Sequence, residues 1–182
     1  TVKDSRSLTL IFPLPATQKY YRSRPLNMLG FLVGHEGKGS LLSLLKEEGL
    51  ASGLSAGGGD STSSYTSFNI NIQLTPKGLK RYTKVIERTF QYLRLLREKS
   101  LPRYVYEEVR RMAEIDYRFA EKTGGTRLVN MFSLLMQIYP LRSVESTPFL
   151  ISEYRPRLFD SMLFRLIPEN MLALLAAKNL ET

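Results

Sequence analysis

The chain has 182 residues, 43% of them hydrophobic, with ten Tyr and nine Phe, which is ample for a buried core and excludes a disordered chain. Its 26 basic residues outnumber 17 acidic ones, for a net charge of +9, and Cys is absent. Disulfides, zinc ribbons and thiol nucleophiles are therefore excluded, and the lack of Cys fits a reducing, cytoplasmic compartment. No apolar run approaches membrane-spanning length. The first residues, Thr1-Val2-Lys3-Asp4, show neither an initiator Met nor a basic–apolar leader, so the expectation is a segment of a longer multi-domain chain, with residues 1–182 forming one domain.

In chain order, Ser7 to Phe12 alternates and is β-rich, which predicts a strand ended by Pro13 and Pro15. One helical turn is expected at Gln18 to Tyr21, then short helices over Leu26 to Gly34 and Ser40 to Glu48. Ser40 would cap the second, with Leu41, Leu44 and Leu45 facing inward, and Gly49 would end it. Leu50 to Ala56 reads as a short strand, and Gly57-Gly58-Gly59-Asp60 as a turn or loop. Phe68 to Leu74 alternates apolar residues with Asn69, Asn71 and Gln73, a strand buried on one side. Uncharged amides on its open face suit either a wet cavity wall or plain solvent.

Thr75-Pro76 is a strong helix start, and Leu79, Tyr82, Ile86, Phe90, Leu93 and Leu96 predict one helix to about Glu98. A second helix runs from Pro102 to about Glu121, with Tyr106, Val109, Ala113 and Tyr117 inward. A third carries Leu128, Phe132 and Leu135 after a Gly124-Gly125 loop, a fourth spans Pro156 to Leu166, and Met171 to Ala177 is a last strand. That order of strands and helices points to an α+β fold.

The only histidine lies in Gly34-His35-Glu36-Gly37-Lys38-Gly39-Ser40. A hydrolytic zinc needs three protein ligands, usually from His-Glu-x-x-His or His-x-x-Glu-His, and here no second His or Cys exists. Gly39 separates Lys38 from Ser40, so a phosphate-binding Gly-Lys-Ser is absent too. On residue chemistry alone this is a glycine-rich corner between two helices. The basic residues, chiefly from Lys77 to Arg118, are interleaved with Glu and never four together, which reads as solvated helix faces, or as a positive chamber wall.

The stretch from Leu29 to Gly58 resembles the second, non-catalytic homologous domain of insulinase-family zinc peptidases of the insulin-degrading (inverzincin) type. The likeness extends from Phe12-Pro13-Leu14-Pro15 through Leu74-Thr75-Pro76-Lys77-Gly78-Leu79, Tyr139-Pro140-Leu141 and Tyr154-Arg155-Pro156 to Arg165-Leu166-Ile167-Pro168-Glu169-Asn170-Met171. The resemblance implies a LuxS/mitochondrial-processing-peptidase-like metallohydrolase fold without catalysis in this segment. Zinc is then expected in a catalytic domain of the parent protein, other homologous domains of that protein are partners, and peptides are substrates of the shared chamber.

It further implies an exosite for the peptide's N-terminal end. Glu36 matches the acidic residue facing the substrate amine, Gly30 and Gly34 match groove glycines, and Leu54, Ser55, Ala56 and Gly57 match a strand that pairs with the peptide. Asn27 and Phe31 stand where the family has histidines, Ala56 where it has a glycine, and Gly58 where it has a glutamine. Rival readings are a degenerate repeat or pseudoenzyme subunit that only completes the shell, a self-sufficient hydrolase, which would need tightly held zinc, and a basic module for nucleic acid or anionic surfaces. The exosite reading expects neither nucleic acid nor a membrane span.

Overall fold

The computed structural model describes residues 6–120 and 124–178. They form β1 (Ser7–Pro15), a 3₁₀ turn, α1 (Pro25–Val33), α2 (Leu41–Glu47), β2 (Ala51–Ser61), β3 (Tyr65–Leu74), α3 (Pro76–Lys80), α4 (Tyr82–Lys99), α5 (Arg103–Arg118), α6 (Gly125–Leu135), a second 3₁₀ turn, α7 (Pro156–Leu163), a third, and β4 (Leu172–Ala176). The strands make one antiparallel sheet in the order β2-β3-β1-β4.

Alternation sets the two faces of the sheet. Leu8, Leu10, Phe12 and Leu14 of β1 and Phe68, Ile70, Ile72 and Leu74 of β3 point to one side and are buried. The helices pack there through Met28, Leu29 and Val33 of α1, Leu41, Leu42 and Leu45 of α2, Val85 and Leu93 of α4, and Phe159, Met162 and Leu163 of α7. Each such side chain contributes about 1.5–3 kcal/mol. The other face carries Thr9, Asn71 and Gln73, with the Thr9 hydroxyl donating to Asn71 Oδ1 at 3.0 Å.

Several sequence expectations need correction. β1 does not stop at Pro13 but pairs with β3 as far as Pro15. Its other neighbour, β4, reaches only to Ile11, so beyond that point the strand has a bare side where a missing N–H costs little. The glycine run is strand rather than turn, since Gly57 pairs with Asn69 and Gly58 with Phe68. The irregularity falls instead between Gly58 and Ser61, where the register shifts.

The long helix expected after Thr75 is two, broken at Arg81 (φ −124°, ψ 35°), whose N–H closes α3 on the Lys77 and Gly78 carbonyls. The buried stripe of α4 is Val85, Thr89, Leu93 and Leu96, while Tyr82 is exposed. Thr89 sits in the core because its hydroxyl donates to the Val85 carbonyl at 2.8 Å. In α2, Leu42 rather than Leu44 turns inward, and Leu44 is 37% exposed. α5 ends at Arg118, short of Glu121, which lies outside the described residues. Leu128, Phe132 and Leu135 of α6 are half-buried, with no residue of that helix fully covered.

The caps follow the sequence closely. Ser40 Oγ accepts from the Ser43 N–H at 3.1 Å and Thr75 Oγ1 from the Gly78 N–H at 2.9 Å, each satisfying an otherwise orphaned donor at a helix start. Gly49 takes φ 67° after α2, the left-handed conformation that glycine adopts without penalty.

Candidate functional site

The site is built on the contact between α1 and the edge strand β2. Pro25 occupies the first turn of α1, where its missing N–H is harmless, and the helix buries Leu26, Met28, Leu29 and Val33. Its remaining face carries glycines against the strand. A β-carbon at Gly30 would stand 2.9 Å from the Ala56 carbonyl oxygen and 3.3 Å from Gly57 Cα. One at Gly34 would stand 2.8 Å from the Gly30 carbonyl oxygen and 3.5 Å from Ala56 N. Only glycine lets backbone approach backbone this closely. Near the start of the helix, a β-carbon at Gly58 would meet Leu26 Cδ1 at 3.4 Å. Helix and strand therefore run antiparallel, from Leu26–Gly58 to Gly34–Ala56. Because β2 is bonded to β3 alone, alternate N–H and C=O groups along it lack a strand partner.

Of the residues implied by resemblance, Gly30, Gly34, Ala56 and Gly57 are thus in one contact zone. Leu54 turns into the core at 8% exposure, and it contributes backbone only. Ser55 is exposed, with its side chain on the other face of the sheet. Glu36 lies on the loop just past the C-terminal end of α1, exposed and without a hydrogen bond or ion pair to any described residue. His35 is also exposed, and its ring lies 6.1 Å from that of Phe31. A β-carbon at Gly37 would stand 2.5 Å from His35 Nε2, so this glycine gives the imidazole its space. Asn27 is exposed on α1 and lines the neighbouring cleft.

One imidazole beside one carboxylate falls short of a zinc site, and among the described residues no three of His, Cys, Asp and Glu gather to hold a metal. The donor set here does not fit the ion.

Sequence patterns did not flag Arg24. A residue before proline is expected to be extended, yet Arg24 has φ 41° and ψ 62°, the left-handed region. It lines a cleft of about 560 Å³ where the groove continues past Asn27 and Gly58. Its Nη2 donates to the Thr147 carbonyl at 3.1 Å and its Nε to the Tyr21 carbonyl at 3.3 Å. Burial pulls the guanidinium below the usual arginine range, and the nearby Tyr139 opposes this.

Residues 1–112 match the family model described as Peptidase M16 inactive domain. The chain belongs to this insulinase family. It is 35% identical over 180 residues to insulin-degrading enzyme from Drosophila melanogaster, covering 99% of this chain and 18% of that protein. Human nardilysin is 33% identical over 183 residues, covering 98% of this chain and 16% of that protein. The chain thus spans less than a fifth of the length of these curated relatives.

Among solved structures, pitrilysin superposes with a TM-score of 0.87 at 24% identity, over 93% of this chain and 18% of that one. The inactive peptidase domain of a putative zinc protease from Bordetella parapertussis gives 0.75 at 14% identity, over 100% of this chain and 95% of that one. The chain therefore has the α+β fold expected from its resemblance, and its residues 1–112 match a peptidase family's inactive domain.

Proposed function

We propose that this domain forms part of the substrate chamber of an insulinase-like zinc metalloendopeptidase and anchors the N-terminal end of short peptides on the β2 edge. The observation carrying this reading is the glycine-lined contact of α1 with an edge strand that, among the described residues, is paired on one side only. An extended peptide added beside β2 gains backbone hydrogen bonds that tolerate many side chains. Glu36, exposed and without a partner among the described residues, supplies a charge-assisted acceptor for the peptide's α-ammonium. Zinc and bond cleavage belong to a separate catalytic domain of the parent protein, and the other homologous domains are this one's partners. The role here is to hold one end of the substrate.

The test is an NMR titration of the 182-residue chain with an unstructured peptide, free and N-acetylated, repeated with Glu36→Gln. Shifts at Gly34, Glu36 and Leu54 to Gly57 should weaken on acetylation and in the variant. A titration without shifts there favours a domain that only completes the shell.

A further inference from the structure

Arg24 and its cleft are left over by the exosite reading. The side chain is half-buried at the mouth of a cleft of about 560 Å³ shared with Tyr20, Asn27, Gly59, Thr62 and Tyr139. Among the described residues only two of its side-chain N–H groups have acceptors, both of them main-chain carbonyls, and no carboxylate pairs with it. By contrast, Arg88, Arg103, Arg110 and Arg155 all hold glutamates. The Tyr21 and Tyr139 rings, edge to face at 5.4 Å, both line the cleft. Finally, the backbone of Arg24 is in the left-handed region, which costs energy for a residue with a β-carbon. A half-desolvated guanidinium with free donors, in an open cleft on a strained backbone, is a site prepared for a planar anion.

Its placement gives the ligand. Arg24 immediately precedes α1 and Glu36 lies three residues beyond its last residue, Val33, so the two ends of the groove carry opposite charges. The nine residues of α1 span roughly 14 Å, the reach of about four extended residues. We propose that Arg24 binds a carboxylate of the peptide held on β2, about five residues from its amino terminus, so that the groove selects acidic peptides and fixes their direction. This rests on the exosite reading and adds a specificity-determining residue to it.

The experiment measures binding of the 182-residue chain to amidated ten-residue peptides with a free amino terminus, Glu or Gln at position four, five or six, and no other charged residue. A second set of five- and six-residue peptides without Glu compares a free with an amidated C-terminus. Replacing Glu by Gln at the favoured position should weaken binding about tenfold, and should change nothing in Arg24→Gln, with Arg24→Lys partly restoring the difference. N-acetylation should weaken wild type and Arg24→Gln alike. If amidation of the short peptides gives the loss instead, Arg24 takes a terminal carboxylate, which upholds the site and identifies its source.

If acetylation weakens binding but no carboxylate matters, the inference is overturned while the exosite stands. If no peptide binds at all, both fall. Should Arg24→Gln not fold, the peptide pairs measured on wild type still decide.

Discussion

The two edges of the sheet solve the problem of an unpaired strand in opposite ways. β4 is five residues long, and Leu172 and Leu174 on its outer face are 55% and 48% exposed. β2 is eleven residues of Ala, Ser, Gly, Leu and Asp, so beyond Leu54 it has almost no side chain to bury. One edge presents apolar side chains and the other presents backbone. A long, flat backbone edge is an aggregation hazard, and here the strand is steadied by the α1 glycines against Ala56 and Gly57 and by its firmly held first residues. Leu50, just before β2, accepts from the Thr75 N–H at 3.1 Å, and Gly78 packs directly on the Leu50 carbonyl. The strand is pinned at its entry and left open along its length, which is the distribution of rigidity that a strand-pairing site requires.

The largest expected effect lies at that pin. A β-carbon at Gly78 would overlap the Leu50 carbonyl oxygen, a backbone atom that cannot swing aside. Gly78→Ala should therefore cost about 3 kcal/mol or more, read as a fall in the urea midpoint or as loss of folded protein. Along the groove the same substitution grades the contact. At Gly30, where the added carbon meets Ala56 O at 2.9 Å, Ala should cost about 1–3 kcal/mol and loosen peptide binding. At Gly57, where nothing lies within 4 Å, it should stay within about 0.5 kcal/mol. Equal costs at Gly30 and Gly57 would break the picture of a helix pressed on one segment of strand.

Much of this was readable from local pattern. The faultless alternation from Phe68 to Leu74 and the caps at Ser40 and Thr75 appear as expected, because each depends on neighbours within a few residues. What escaped depends on distant partners. Pro13 and Pro15 belong to a strand because β4 stops short of them, and Gly57 and Gly58 extend β2 because β3 is long enough to pair with them. Leu44 and Leu42 exchange roles because tertiary packing, not helical spacing alone, sets which way α2 rolls. For the site, composition gave only a glycine-rich corner. The matched positions came through family resemblance, and the contact of Gly30 and Gly34 with β2 needed the fold. Arg24 had no signal, since its significance lies in a left-handed backbone and in a carboxylate it does not have.

The smallest expected effect concerns the same pinned entry. Glu48, at the end of α2 and three residues before β2, accepts from Arg88 Nε at 2.8 Å, with Arg88 Nη2 at 2.7 Å and Lys84 Nζ at 3.4 Å. The hydrogen bond from Arg88 holds its carboxyl below the usual carboxylate range against partial desolvation, and the charges of Arg88 and Lys84 add to this. A carboxylate with a depressed folded pKa binds fewer protons folded than unfolded, so stability rises with pH across that window. The contribution is fully present above the unfolded value of about 4.3 and is lost as pH falls through the lower, folded value. Thermal melts of wild type and Glu48→Gln should differ by no more than about 2 °C near neutrality, and the gap should close as pH falls below the unfolded carboxylate range. A gap that persists in acid would mean that Glu48 holds β2 by shape rather than by charge.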